Sequence, residues 1–238
     1  MDTLNLRTGG EGEPAVLFLH GLGATGAVWA HLTELVDRRV LVPDLPGHGK
    51  SAPLPHYSFE TIAAAVARVL PPGPLVIAGH SLGGVIALEL AAQREVVGVL
   101  ALGVKVEWSQ DDLAKAASMA ARPARFFTSR EDAEQAYLKV SGLLGIAPTD
   151  PAGLRETEEG WRLALDSAAF GVGAPDMRGL LAQARCPVVM AAGENDPMSR
   201  REQLEALDVE TVILPGLGHN AHVEDPAAVR ALLDRFLG

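Results

Sequence analysis

The chain has 238 residues, 48% of them apolar and 21% charged, enough for one α/β domain, or one domain with an inserted subdomain, around a sizeable core. Its net charge of −10 argues against nucleic acid and anionic membrane surfaces as partners, and no apolar run reaches the ~18 residues of a membrane-spanning helix. The opening Met1-Asp2-Thr3-Leu4-Asn5 has no basic stretch leading into an apolar one, so no signal peptide is expected and the default compartment is the cytoplasm. The single cysteine, Cys186, excludes an internal disulfide; ahead of Pro187 and Val188-Val189-Met190 it reads as a buried structural thiol.

In chain order, residues 4–8 alternate weakly and suggest an edge strand. Residues 15–19 ("AVLFL") form a short apolar run between Pro14 and Gly21 and read as a buried strand. Helical spacing follows over 28–36, a short strand over 40–42, and a helix over 59–70 with Ser58 as N-cap and Pro71 as its stop. Then come a strand over 75–78, an Ala- and Leu-rich helix over 82–93 and a strand over 96–102. This alternation predicts an α/β fold with a mostly parallel central sheet flanked by helices.

After Gly103 the rhythm breaks. No convincing strand is visible between 105 and 175; helices are expected over 111–121, 130–143 and 157–169. The alternation resumes with a helix over 177–184, a strand over 188–192, a helix over 200–207, a strand over 209–214 and a final helix over 227–237. The core is therefore expected to comprise 1–103 and 176–238, with 104–175 an inserted helical cap.

Ligands of an open parallel sheet sit at the carboxyl ends of its strands, and four such ends carry suitable chemistry. Ser81, in Gly79-His80-Ser81-Leu82-Gly83, lies between a strand and a helix, the context of a nucleophile elbow; Gly79 and Gly83 let strand and helix approach closely. A base is expected in the loop at 215–226, where His219 is preferred to His222 because it lies in the loop proper, beside Gly218. His80 is an unlikely base, since neighbours on a tight turn point apart. The acid is expected to be Asp196, after the strand over 188–192, with Glu194 and Glu107 as alternatives and helix capping as the competing role for Asp196. The order Ser81, Asp196, His219 suits this elbow type. The backbone N–H groups of Leu82, at a helix N-terminus, and of Leu22, in "HGLGAT", are the expected oxyanion donors.

The motifs "FLHGLGAT" at 18–25, "VPDLPGHGKS" at 42–51, "AGHSLGG" at 78–84, "AAGENDPM" at 191–198 and "GLGHNAHVEDP" at 216–226 resemble those of the α/β-hydrolase fold superfamily, in particular small capped bacterial carboxylesterases and lactonases. The resemblance implies a serine hydrolase acting through Ser81, Asp196 and His219 on the ester, thioester or lactone of a small to medium, partly apolar acyl substrate, with no cofactor and no metal. It gives the 44–51 turn a structural role. Epoxide hydrolases and haloalkane dehalogenases of this fold carry aspartate at the elbow, and Ser81 counts against both. C–C bond hydrolysis, perhydrolysis or a lyase step on the same triad, or a non-catalytic small-molecule receptor, are the alternatives. Among the large apolar side chains of the cap (Trp108, Met119, Phe126, Phe127, Trp161 and Phe170), Trp108, Met119, Trp161 and Phe170 are the expected pocket residues, together with His222. A monomer or homodimer is expected.

Overall fold

The structure, a computed structural model, describes residues 4–238. The described strands are β1 (Leu6–Gly9), β2 (Ala15–Leu19), β3 (Val40–Pro43), β4 (Leu75–His80), β5 (Gly98–Leu102), β6 (Leu154–Thr157), β7 (Gly160–Leu163), β8 (Val188–Gly193) and β9 (Glu210–Leu214). The helices are α1 (Ala30–Glu34), α2 (Phe59–Val69), α3 (Leu82–Gln93), α4 (Gln110–Ala120), α5 (Arg130–Val140), α6 (Met177–Gln183), α7 (Arg201–Glu205), α8 (Ala221–Glu224) and α9 (Pro226–Leu237). Seven strands form one sheet in the order β1-β3-β2-β4-β5-β8-β9; only β1 pairs antiparallel.

The residues of β2 show why the sheet is covered on both faces. Leu17 and Leu19 pack into one hydrophobic cluster and Val16 and Phe18 into another, because successive strand side chains point to opposite faces. The first cluster takes Phe59, Ile62 and Val66 of α2, much of α3, and Met177 and Leu180 of α6. The second takes Trp29, Leu32 of α1, and Val229, Leu232 and Leu233 of α9. Helix α3 is buried almost all round, as a central helix requires. Ser58 caps α2 through a capping box with Thr61, and α2 ends with Leu70 extended, the conformation favoured before Pro71. No helix among the described residues is long and apolar enough to cross a membrane.

The segment between β5 and α6 departs from expectation. In place of a helix over 157–169, β6 and β7 form an antiparallel hairpin, followed by a 3-10 turn, Ser167–Val172. Gly160 explains the difference: its φ is +116°, and a Cβ there would stand 2.5 Å from the Phe127 carbonyl oxygen, so the chain turns where a helix would continue. The hairpin and α5 share a small core of Phe127, Ala133, Tyr137, Leu138, Leu143 and Leu154. Helix α4 has no fully buried side chain. Elsewhere 28–36 divides into a 3-10 turn, Gly26–Trp29, and α1, and α5 stops at Val140, just before Gly142 with its φ of +71°. Cys186 is half-buried at the edge of the first cluster, not fully buried as expected, and desolvation raises its thiol pKa.

Candidate active site

Strand β4 delivers Ser81 directly into α3, and the turn is tight. Ser81 has φ 52° and ψ −115°, a region costly for any residue with a side chain. Its N–H donates to the Leu102 carbonyl at 2.8 Å, anchoring the turn to the end of β5. A Cβ on Gly79 would lie 2.1 Å from the Gly83 carbonyl oxygen, and one on Gly83 would lie 2.2 Å from the Leu19 carbonyl oxygen. Both glycines are thus required by the crossing of α3 over β4 and β2, which supports the strained serine.

Strand β8 ends at Gly193, three residues before Asp196, and β9 ends at Leu214, five residues before His219. Asp196 is buried (5% exposed), and its carboxylate is fully engaged: Oδ1 accepts from the Met198 N–H at 2.8 Å and Oδ2 from His219 Nδ1 at 2.9 Å. A carboxylate only accepts, so Nδ1 carries the proton and Nε2 keeps a free lone pair. The helix-capping role for Asp196 does not occur; Arg200 is the N-cap of α7. Glu194 accepts from the Gly216 N–H and Glu107 from Gln203, so both alternative acids are engaged away from His219.

Ser81, Leu22 and Leu82 line one cavity of about 240 Å³. Among the described residues no protein acceptor takes the N–H of Leu22 or of Leu82, and Leu82 opens the twelve-residue α3, whose dipole favours negative charge there. Trp108, Met119 and Phe170 from the 104–175 segment also line this cavity. The cavity also takes Phe59, Val85, Val104, Val172, Pro175 and Met198, which sequence reasoning missed because they come from stretches far apart in the chain. Lys105, Asp112 and Lys115 are its charged lining, and Lys105 Nζ is paired with Asp112 at 2.9 Å.

Two expected pocket residues lie elsewhere. Trp161 belongs to the hairpin, exchanging backbone hydrogen bonds with Phe127 at 2.7 and 2.9 Å, under the guanidinium of Arg130. Its placement follows from the strand that replaces the expected helix. His222 is 1% exposed, with its ring 4.3 Å from that of Trp29 and 4.5 Å from that of His80. It packs behind the site because α8 turns it inward, and burial lowers its pKa to about 3. Phe126 is exposed and Phe127 sits in the small core of the hairpin.

His80 does not face the cavity as a base; its Nε2 donates to the His219 carbonyl at 2.9 Å. The turn at 44–51 is structural. Asp44 accepts from the N–H groups of Gly26 and Lys50 and from Asn5 Nδ2. Leu45 N–H donates to His20 Nε2, so His20 Nδ1 donates to the Gly21 carbonyl, fixing the loop that carries Leu22. Burial, together with nearby His48, holds the His20 pKa at about 3.

A seven-stranded, mostly parallel sheet with a strained serine at a strand–helix elbow and an Asp–His pair at two further strand ends defines the α/β-hydrolase class. Residues 16–232 match the family model described as the alpha/beta hydrolase family, and the chain belongs to that family. Among similar proteins is a 2-succinyl-6-hydroxy-2,4-cyclohexadiene-1-carboxylate synthase from Enterobacter sp. (strain 638), 31% identical, with 97% of this chain and 94% of that protein covered. Among solved structures, an E-2-(acetamidomethylene)succinate hydrolase superposes with a TM-score of 0.82 at 24% identity, covering 99% of this chain and 95% of the other. An esterase from Mycobacterium tuberculosis superposes with a TM-score of 0.74 at 22% identity, covering 99% and 91%. These two structures share the fold with this chain.

Proposed function

We propose that the protein is a serine hydrolase that cleaves the ester, thioester or lactone bond of a small to medium, partly apolar acyl substrate, with residues 104–175 acting as its cap. The observation that carries this reading is the 2.9 Å contact between Asp196 Oδ2 and His219 Nδ1, in a chain whose strained Ser81 lines a largely apolar cavity. His219 Nε2 takes the Ser81 proton as Oγ bonds to the substrate carbonyl carbon. The oxyanion is held by the N–H groups of Leu22 and Leu82, each donor worth about 10²–10³ in rate. The bond to the leaving group breaks as His219 returns the proton to it. Water then attacks the acyl-enzyme, gives a proton to His219, and releases the acid while Ser81 regains its proton. Asp196 holds the imidazole tautomer and stabilises its charged form.

A second reading draws on the relatives named as synthases: the same three residues would carry a lyase step. The two differ at Ser81. A panel of p-nitrophenyl esters, thioesters and lactones, assayed with wild type and Ser81→Ala, tests the proposal. Multiple turnovers with an acyl-Ser81 adduct trapped by mass spectrometry support hydrolysis; no turnover of any acyl substrate and no adduct reject it.

A further inference from the structure

The cavity at Ser81 is the first of three that adjoin. Met119 and Phe170 line both it and a second, apolar cavity of about 220 Å³ beneath the hairpin. Arg122 and Arg162, among others, line both that second cavity and a third, of about 260 Å³, which also takes Arg155. The three cavities thus lie in succession from Ser81, past an apolar one, to a cluster of three arginines.

The arginine cluster is unusual on physical grounds. In a chain of net charge −10, three guanidinium groups converge, and none forms an ion pair with a carboxylate among the described residues. Arg155 and Arg162 stand directly opposite one another in the β6–β7 register. Facing residues of an antiparallel pair share one side of the hairpin, where like charges repel and destabilise it. The one carboxylate lining this cavity, Asp166, is engaged elsewhere: it accepts from the Tyr57 hydroxyl at 2.9 Å and from the Ala168 N–H at 3.0 Å. Arg155 donates once, to the Gly49 carbonyl at 3.1 Å; the side chains of Arg122 and Arg162 make no hydrogen bond among the described residues.

We infer that this cluster is an anion subsite, and that the substrate of the proposed hydrolase carries a carboxylate or phosphate head group at the far end of an apolar chain. The inference rests on the acyl-transfer reading for what happens at Ser81, but the subsite itself is a property of the three arginines. Guanidinium forks match the paired oxygens of carboxylate and phosphate, and an anion bound between them offsets the repulsion of the facing Arg155 and Arg162. At the Ser81 end Lys105 is tied to Asp112, and only Lys115 adds a further positive charge to that cavity's lining.

The test uses p-nitrophenyl esters of increasing chain length in three forms: neutral, ω-carboxylated and ω-phosphorylated. Over one window of lengths an ω-anionic ester should exceed its neutral counterpart in kcat/KM, and the better of the two anionic arms identifies the head group. Arg162→Gln should reduce that anionic-to-neutral ratio about tenfold, the scale of one lost charge-assisted contact. Arg162→Lys should recover part of it, and the remote Arg68→Gln should leave it alone. The melting temperature of Arg162→Gln should hold or rise slightly, as repulsion is relieved. Equal kcat/KM for anionic and neutral esters at every length, or a ratio insensitive to Arg162→Gln, overturns the inference. So does a fall of several degrees in melting temperature with an unchanged ratio, which assigns the arginine to holding the hairpin. Calorimetric titration of Ser81→Ala with the same esters separates the two proposals. Arg162-dependent binding of anionic esters by a protein whose wild type turns over no ester of either kind rejects the hydrolase reading and keeps the subsite.

Discussion

His80 Nε2 donates to the carbonyl oxygen of His219 at 2.9 Å, so the residue before the proposed nucleophile holds the backbone of the proposed base. The two rings lie 4.6 Å apart. Burial, with His222 and His219 close by, keeps the His80 pKa well below the ordinary histidine value, so it makes this bond as a neutral donor. His80→Phe removes the donor and should lower kcat by roughly ten- to a hundredfold, the cost of a misplaced catalytic group, with little change in KM. His80→Gln, which keeps an N–H donor, should recover part of the loss. Steady-state kinetics on one ester distinguish this from a purely structural role, in which the two variants would differ only in melting temperature.

Ser81→Ala should retain less than about a thousandth of wild-type ester hydrolysis while keeping its circular dichroism spectrum. A serine-directed phosphonate should label Ser81 alone and block turnover. Peptide mapping that places the label at Ser118 or Ser199 would move the nucleophile elsewhere.

The two histidines of the β9–α9 connection should separate cleanly. His219→Ala should lower kcat by at least about a thousandfold, as loss of a general base does, and His222→Ala by no more than about thirtyfold. Because His222 is packed against Trp29 and His80, its loss should instead show as a lower melting temperature from the cavity left behind. The reverse order of kcat effects would transfer the base to His222.

Stability should fall on acidification. His20 and His222 are buried with pKa values of about 3 in the folded state, against about 6.5 when unfolded. The unfolded chain therefore binds these protons first, and stability is lost progressively as pH falls from about 6.5 toward 3. Melting temperatures measured across that range should decline, and His222→Phe should show a shallower decline than wild type. An unchanged slope would mean that this ring does not stay neutral in the fold.

Gly83→Ala should be among the most damaging single-methyl additions. The new Cβ meets the backbone oxygen of Leu19 at 2.2 Å, and backbone at the centre of the sheet cannot yield as a side-chain tip does. A loss of about 3 kcal/mol, the upper end of the usual cost of overpacking, is expected, read as a fall of roughly 6–12 °C in melting temperature for a chain of this size.

Much of the core was legible from local pattern. The run "AVLFL" occupies β2 over the range read from its apolar residues, and α3 begins at Leu82 and ends at Gln93 as its composition suggested. Those elements are buried on all sides, so hydrophobicity alone marks them. Over 157–169 the expected helix does not form, because Gly160, with its φ of +116°, turns the chain there. The turn is set by Gly160 and the strand pairing by Phe127 and Trp161, a contact between distant parts of the chain.

The sequence by itself determined the ingredients: a serine between two obligatory glycines, and an aspartate and a histidine each placed after a strand, because strand ends and tight turns are local properties of the chain. Only the tertiary structure decided how they are used. It turned His222 inward while leaving His219 Nδ1 against Asp196. It set His80 to hold the loop that carries His219, and it brought Arg155 opposite Arg162, with Arg122 lining the same cavity. Those choices depend on which surfaces pack together once the sheet has formed, and side-chain direction at a loop or a hairpin edge follows from that packing rather than from the residues alongside it in sequence.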